Sequence, residues 1–300
     1  MKPWKFAFWT PGNTPADDGA TFGCSSHGLI SSGIWSDPKD SQAVFVSNSF
    51  RGQVIAGTYA EVLERLRQIP FEPKAAVILF ARGAGAEAFL THWQSVLPLI
   101  PVVGGAAACG PGEERGALLP AADDVAILLI CEGSWKAGSL NVHDTNGEGW
   151  EFRSSEPRII THLRRSGTAQ WQHAAEAFHS LQISCGRSEQ DCESITFSDE
   201  NGLNLHCSLS GTSVLVGANL PAEGLLILRS VSRTAAAEKL RDFCLVSNAI
   251  VFGCAGLRTL IDEPFEVGSG TLTGFMFGEL VAFGGTTQFG NLMAARLLPA

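Results

Sequence analysis

The sequence predicts an α/β protein of two related halves, each a mixed sheet with flanking helices, carrying internal strand–Gly-rich turn–strand repeats. Three observations predict it: short apolar runs alternate with amphipathic helical segments, glycines recur at strand ends, and one pattern of small residues returns along the chain.

The alternation is clearest before residue 132. The stretch "DPKDSQAVFVSNSF" ends in a strand, and "GTYAEVLERLRQIPF" is a helix. Thr58 and Glu61 have capping-box spacing, Val62, Leu63, Leu66 and Ile69 share one face, and Pro70 stops it. "KAAVILF" is a buried strand, and "GAEAFLTHWQSVL" a helix turning Phe89, Leu90, Trp93, Val96 and Leu97 inward. "LIPVVGG" and "DDVAILLIC" are further strands. Later, "SGTAQWQHAAEAFHSL" is helical, "ESITFS", "SVLVGA" and "GLLILRS" are strands, and the helix "TAAAEKLRDFCLVS" precedes the strand "AIVFGC". The turn-rich segment "HDTNGEGWEFRSSEPR" places a boundary near 150–165, dividing the chain into domains 1–160 and 161–300.

The repeat links "FGCSSHGLISSGIWSDPKDSQAVFV" with "VGGAAACGPGEERGALLPAADDVAILL". In each a strand reaches a glycine (Gly23, Gly104), small residues follow, and an acidic turn leads into an apolar strand. "TGFMFGELVAFGGTTQFGNLMAARLL" is a third, looser copy through Gly274 and the pair Gly278–Glu279. Glycines there let backbone pass close to another strand or to a ligand, and both readings stand.

Composition narrows the function. A net charge of −9 over 300 residues argues against nucleic acid and anionic membrane surfaces. The apolar runs are too short to span a bilayer, and the start lacks the apolar core of a signal peptide, so a cytoplasmic protein is expected. The 8 cysteines, scattered through a long chain, are expected to be reduced thiols. Cys185, Cys192, His206 and Cys207 fit no zinc spacing, and strand alternation in "LNLHCSL" sends His206 and Cys207 to opposite faces, so no metal is expected.

Four ordered stretches resemble the FIST sensory domain, its N-terminal and C-terminal halves together: "FGCSSHGLI", "IPVVGGAAA", "LPAEGLLILRS", and "VFGCAGLR" followed by "GFMFGELVAFGG" and Asn291. Phe277 stands where the family has tyrosine, and Arg258 comes one place late. The resemblance implies a non-catalytic sensor of small, amino-acid-like molecules that signals through a partner protein. Haem-based gas sensing, known among relatives, is the alternative, with His27, His143 and Cys109 as axial candidates. His92, His173 and His179 lie beside apolar helix faces and read as structural.

The candidate site gathers Gly23, Cys24, Ser25, Ser26, Gly104, Gly105, Ala106, Arg258, Gly278 and Glu279. Glu279, set among Phe277, Leu280 and Phe283, is costly to ionise without a partner. That partner is either a ligand ammonium, with Arg258 meeting a ligand carboxylate, or Arg258 itself. Two rivals are weaker. Cys24 with His27 would be a nucleophile and base, although such partners usually meet in space rather than along the chain. Gly83-x-Gly85-x-x-Ala88 has the local form of a dinucleotide fingerprint but lacks the acidic residue about 20 positions on.

Overall fold

A computed structural model describes residues 1–31, 34–36, 43–97, 100–110, 112–188, 192–200, 202–261, 265–283, 286–290 and 293–300. The chain is mixed α/β and forms two compact units, Met1–Leu140 with Leu240–Ala300, and Asn141–Lys239.

The first unit opens with β1 (Lys2–Trp9), β2 (Thr21–Ser25), β3 (Leu29–Ser31), β4 (Ile34–Ser36) and β5 (Ala43–Gly57). It continues with α1 (Tyr59–Leu66), β6 (Ala75–Phe80), α2 (Ala86–Val96), β7 (Val102–Ala106), β8 (Leu118–Leu119), β9 (Val125–Ile130) and β10 (Trp135–Asn141). The capping box forms as its spacing predicts, Glu61 reaching the Thr58 amide and Thr58 accepting from the Glu61 amide. Val62 and Leu66 of α1 and Phe89, Leu90 and Trp93 of α2 pack with Ile78, Phe80, Ile127 and Leu129 of the sheet.

The second unit contains β11 (Asp144–Glu156), β12 (Ile159–Arg165), β13 (Gln172–His173), α3 (Ala174–Ser188), β14 (Cys192–Ser198), β15 (Asn204–Leu205), β16 (Cys207–Ser210), β17 (Ser213–Val216) and β18 (Glu223–Ser232). Its sheet runs in the order β15-β14-β18-β11-β12-β17-β16, with β13 beside β12. One face packs Trp150, Phe152, Leu163, Phe197 and Leu226 against Ala177 and Phe178 of α3.

After α4 (Arg233–Cys244) the chain returns to the first sheet through β19 (Ile250–Cys254), α5 (Ala255–Thr259), β20 (Leu272–Phe283), β21 (Thr286–Phe289) and β22 (Met293–Pro299). The order there is β10-β22-β19-β20-β7-β6-β9-β5-β1-β2-β8. The compact units therefore depart from the expected division at 160. Most of the turn-rich segment expected to hold the boundary forms the long strand β11, paired with β12 and β18. Gly147, at φ +68°, lies where its register with β18 shifts between Thr145 and Gly149, so turn-forming residues make a bulge inside a continuing strand. The expected helix from residue 166 begins only at Ala174, because Gln172 and His173 pair with β12. The expected strand over "LNLHCSL" is interrupted at His206, which is exposed.

Three parallel pairs organise the first sheet: β1 with β2, β6 with β7, and β19 with β20. In each, the second strand sets a glycine opposite the first: Gly23 opposite Ala7, Gly104 opposite Ile78, and Gly274 opposite Phe252. Side chains from two of these pairs meet, Phe8 lying 5.3 Å from Phe252 ring to ring and edge-on.

Candidate functional site

The candidate site centres on β20, which changes partners midway. Leu272–Met276 runs parallel to β19, and residues 277–280 then run antiparallel to β7. The register against β7 shifts between Phe277 and Glu279, and Gly278 takes φ +66°, a conformation that favours glycine. The bulge sets Glu279 opposite Gly105, in a position with no exposed surface. A Cβ at Gly105 would lie 3.0 Å from the Gly278 carbonyl oxygen and 3.4 Å from Glu279 Cα, so the small residue permits this close approach.

Glu279 is only partly satisfied. Its Oε1 accepts the Met293 amide at 2.8 Å, and its carbonyl accepts the Gly290 amide at 2.8 Å. Oε2 is enclosed and has no hydrogen-bond partner among the described residues. Burial pushes the carboxyl up to about 8, against the pull of the Met293 amide and the Cys254 thiol. At neutral pH the group is therefore largely a neutral acid. Leu280 is buried beside it, while the Phe277 and Phe283 side chains, together with Asn291, lie outside the described residues.

Arg258 forms no ion pair with Glu279 among the described residues. It sits on α5, donates to the Ile261 carbonyl at 3.3 Å, and lays its side chain along Gly28, where a Cβ would stand 3.3 Å from its Cδ. The internal pairing of Glu279 with Arg258 is not what satisfies either group here.

The small-residue segments do converge on β20. Cys24 Sγ lies 3.5 Å from Met276 Sδ, and Ser26 Oγ accepts the Phe275 amide at 2.7 Å. Gly104, Gly105 and Ala106 flank residues 277–280 through the β7–β20 ladder. Their polar groups, however, serve the fold. The Ser25 amide donates to Ala117, the Ser26 amide to Trp9, the Ala107 amide to Phe80, and the Ala108 amide to Ser25. Ser25 Oγ donates to the Ala108 carbonyl at 2.6 Å and accepts the Ala117 amide at 2.9 Å. A Cβ at Gly23 would lie 2.8 Å from the Ala7 carbonyl carbon, and one at Gly274 2.7 Å from the Phe8 ring. Close packing thus accounts for these glycines, and the Ser25, Ser26, Ala107 and Ala108 amides are taken up by backbone carbonyls. Of the predicted set, Glu279 is the member that keeps an unmet carboxylate oxygen among the described residues.

The rival chemistries lose their geometry. Burial raises the Cys24 thiol well above the usual cysteine range, and no hydrogen bond joins it to His27 among the described residues. A thiol held neutral is a poor nucleophile. Gly85, at φ +82°, does open α2, but Tyr59 covers the turn: a Cβ at Gly85 would lie 2.9 Å from its ring, and its hydroxyl reaches the Arg82 and Ala84 carbonyls at 3.2 and 3.1 Å. Tyr59 follows the cap residue, and nothing in the sequence signals this role. Among the described residues no group of three His, Cys, Asp or Glu side chains is placed to hold a metal ion. Cys185 and Cys192 lie outside the described side chains, and Cys207 is partly buried 3.6 Å from Thr196 Oγ1. Of the haem candidates, His27 is half-buried, Cys109 is partly exposed, and His143 is locked in an amide network of the second unit. No helix among the described residues is long and apolar enough to cross a membrane.

The atoms around Glu279 leave no signal in the sequence. Met293 contributes through its backbone, which no side-chain pattern encodes, and Cys254 stands in the sequence only as part of a motif. No protein-family model matches the chain, and no curated protein matches it.

Proposed function

We propose that this protein is a FIST-type receptor: a cytoplasmic, non-catalytic sensor that binds an amino-acid-like molecule at Glu279 and passes the signal to a partner protein. One observation carries the reading. Glu279 is fully buried, yet Oε2 has no partner among the described residues, and natural chains seldom retain such a group without a use for it. A ligand ammonium would supply the missing charge, converting the neutral acid into a carboxylate as it binds. Because Oε2 is enclosed, binding must displace what surrounds it. The Gly290 and Met293 amides, which hold Glu279 in place, are the contacts to be exchanged, and that exchange is the signal.

The ordered motifs support the family reading, and the three glycine-bearing parallel pairs support an internal repeat. Recognition of this kind needs no cofactor. A thermal-shift screen of the free amino acids and haem tests the proposal. A specific ligand raises Tm with concentration in the parent and not in Glu279→Gln, by linkage between binding and folding. The absence of any shift, or an equal shift in the variant, removes Glu279 from ligand recognition.

A further inference from the structure

The second unit holds a buried histidine whose tautomer is set by its neighbours. Asn141 is oriented first: its Nδ2 donates to the Gly202 carbonyl at 3.3 Å, and its Oδ1 accepts the His143 amide at 3.0 Å. Asn204 must then answer in kind, its Oδ1 accepting from Asn141 at 3.0 Å and its Nδ2 donating to Asn141 Oδ1 at 2.9 Å. The second hydrogen of that same Nδ2 points to His143 Nδ1, 2.7 Å away. A donor therefore faces Nδ1, so Nδ1 is the acceptor and the ring proton sits on Nε2. That Nε2–H is buried and has no acceptor among the described residues.

We propose that this network is an acid-sensitive latch: it fastens residues 141–143 to β15 in full while His143 is neutral, and protonation of the ring loosens it. A proton on Nδ1 would set two donors against each other across the Asn204 contact and break the bond that joins the ring to β15. Two of the three charged groups facing the ring act in the same sense. Arg229 on β18 and Lys239 on α4 disfavour the imidazolium, and Asp144 on β11 opposes them but is itself paired with Lys239 at 2.6 Å. Burial, then these two cations, depress His143 to about 4. The folded value lies below the ordinary 6.5, so the stabilisation is complete above that pH and is lost as pH falls toward 4.

Nitrogen-15 NMR of histidine-labelled protein, with hydrogen exchange followed by mass spectrometry from pH 7.5 to 5, tests the latch. The expected result is the Nε2–H tautomer at His143, titration well below 6.5, and exchange in 141–143 and 202–205 about tenfold faster at pH 5 after correction for intrinsic rates. Asn204→Asp sets an acceptor opposite Nδ1, so His143 should then titrate above its parental value and the acid acceleration should vanish. An Nδ1–H tautomer in the parent, titration near 6.5, or unchanged acid acceleration in the variant overturns the proposal. Should the variant not fold, the parental tautomer and titration decide alone.

Discussion

Gly104 stands opposite Ile78 in the β6–β7 pair so closely that a Cβ would lie 2.7 Å from the Ile78 carbonyl carbon and closer still to its oxygen. Its φ of +151° adds backbone strain for any other residue. Gly104→Ala is therefore expected to destabilise the first unit by about 3 kcal/mol or more, lowering Tm by roughly 6–12 °C. Gly83, where a Cβ would meet nothing within 4 Å, is the control: Gly83→Ala should stay within about 1 kcal/mol of the parent. Thermal unfolding of both variants checks the contrast.

Glu279 should make stability depend on pH. Its folded value is raised from 4.5 to about 8, so the folded chain keeps a proton that the unfolded chain has lost across that window. Stability must then fall as pH rises from about 5 to 8, by an amount of order a few kcal/mol. Glu279→Gln, which cannot ionise, should flatten this part of the profile. Urea unfolding at pH 5 and pH 8 measures it.

The capping box predicts a smaller, local effect. Thr58→Ala removes the acceptor for the Glu61 amide and the hydroxyl that meets Glu61 Oε2 at 2.9 Å, and is expected to destabilise by about 1 kcal/mol. Chemical denaturation should show the midpoint moving with no change in slope.

That cap is legible from residues 58 and 61 alone because capping is a local interaction between neighbours in sequence. The faces of α1 and α2 are legible for the same reason: their period is set by the helix, and Val62, Leu66, Phe89 and Trp93 are buried as it requires. The division into units is not. Whether Gly147 ends a strand or bulges within it depends on β18, which lies far along the chain. Glu279 stands out as a lone charge in an apolar stretch, and it is buried. The use of the surrounding glycines does not show in the sequence, since close approach to a strand and close approach to a ligand demand the same residue.

The thiols should react in order of exposure. Cys24 and Cys244 are buried, burial raising Cys244 to about 11, while Cys109 and Cys131 are partly exposed. Brief iodoacetamide treatment of the native protein, read by peptide mass spectrometry, should label Cys109 and Cys131 well before Cys24. Early labelling of Cys24 would place a reactive thiol at β2 and revive the nucleophile reading.

In the proposed receptor, Glu279 exchanges its proton for a ligand ammonium. Calorimetric titration with the amino acid that raises Tm, performed at pH 6.5 in two buffers of different ionisation enthalpy, counts that proton directly. Release of nearly one proton per ligand bound is expected in the parent and none in Glu279→Gln, with parental affinity strengthening as pH rises toward 8. Binding without proton release, and equally tight in the variant, would contradict it.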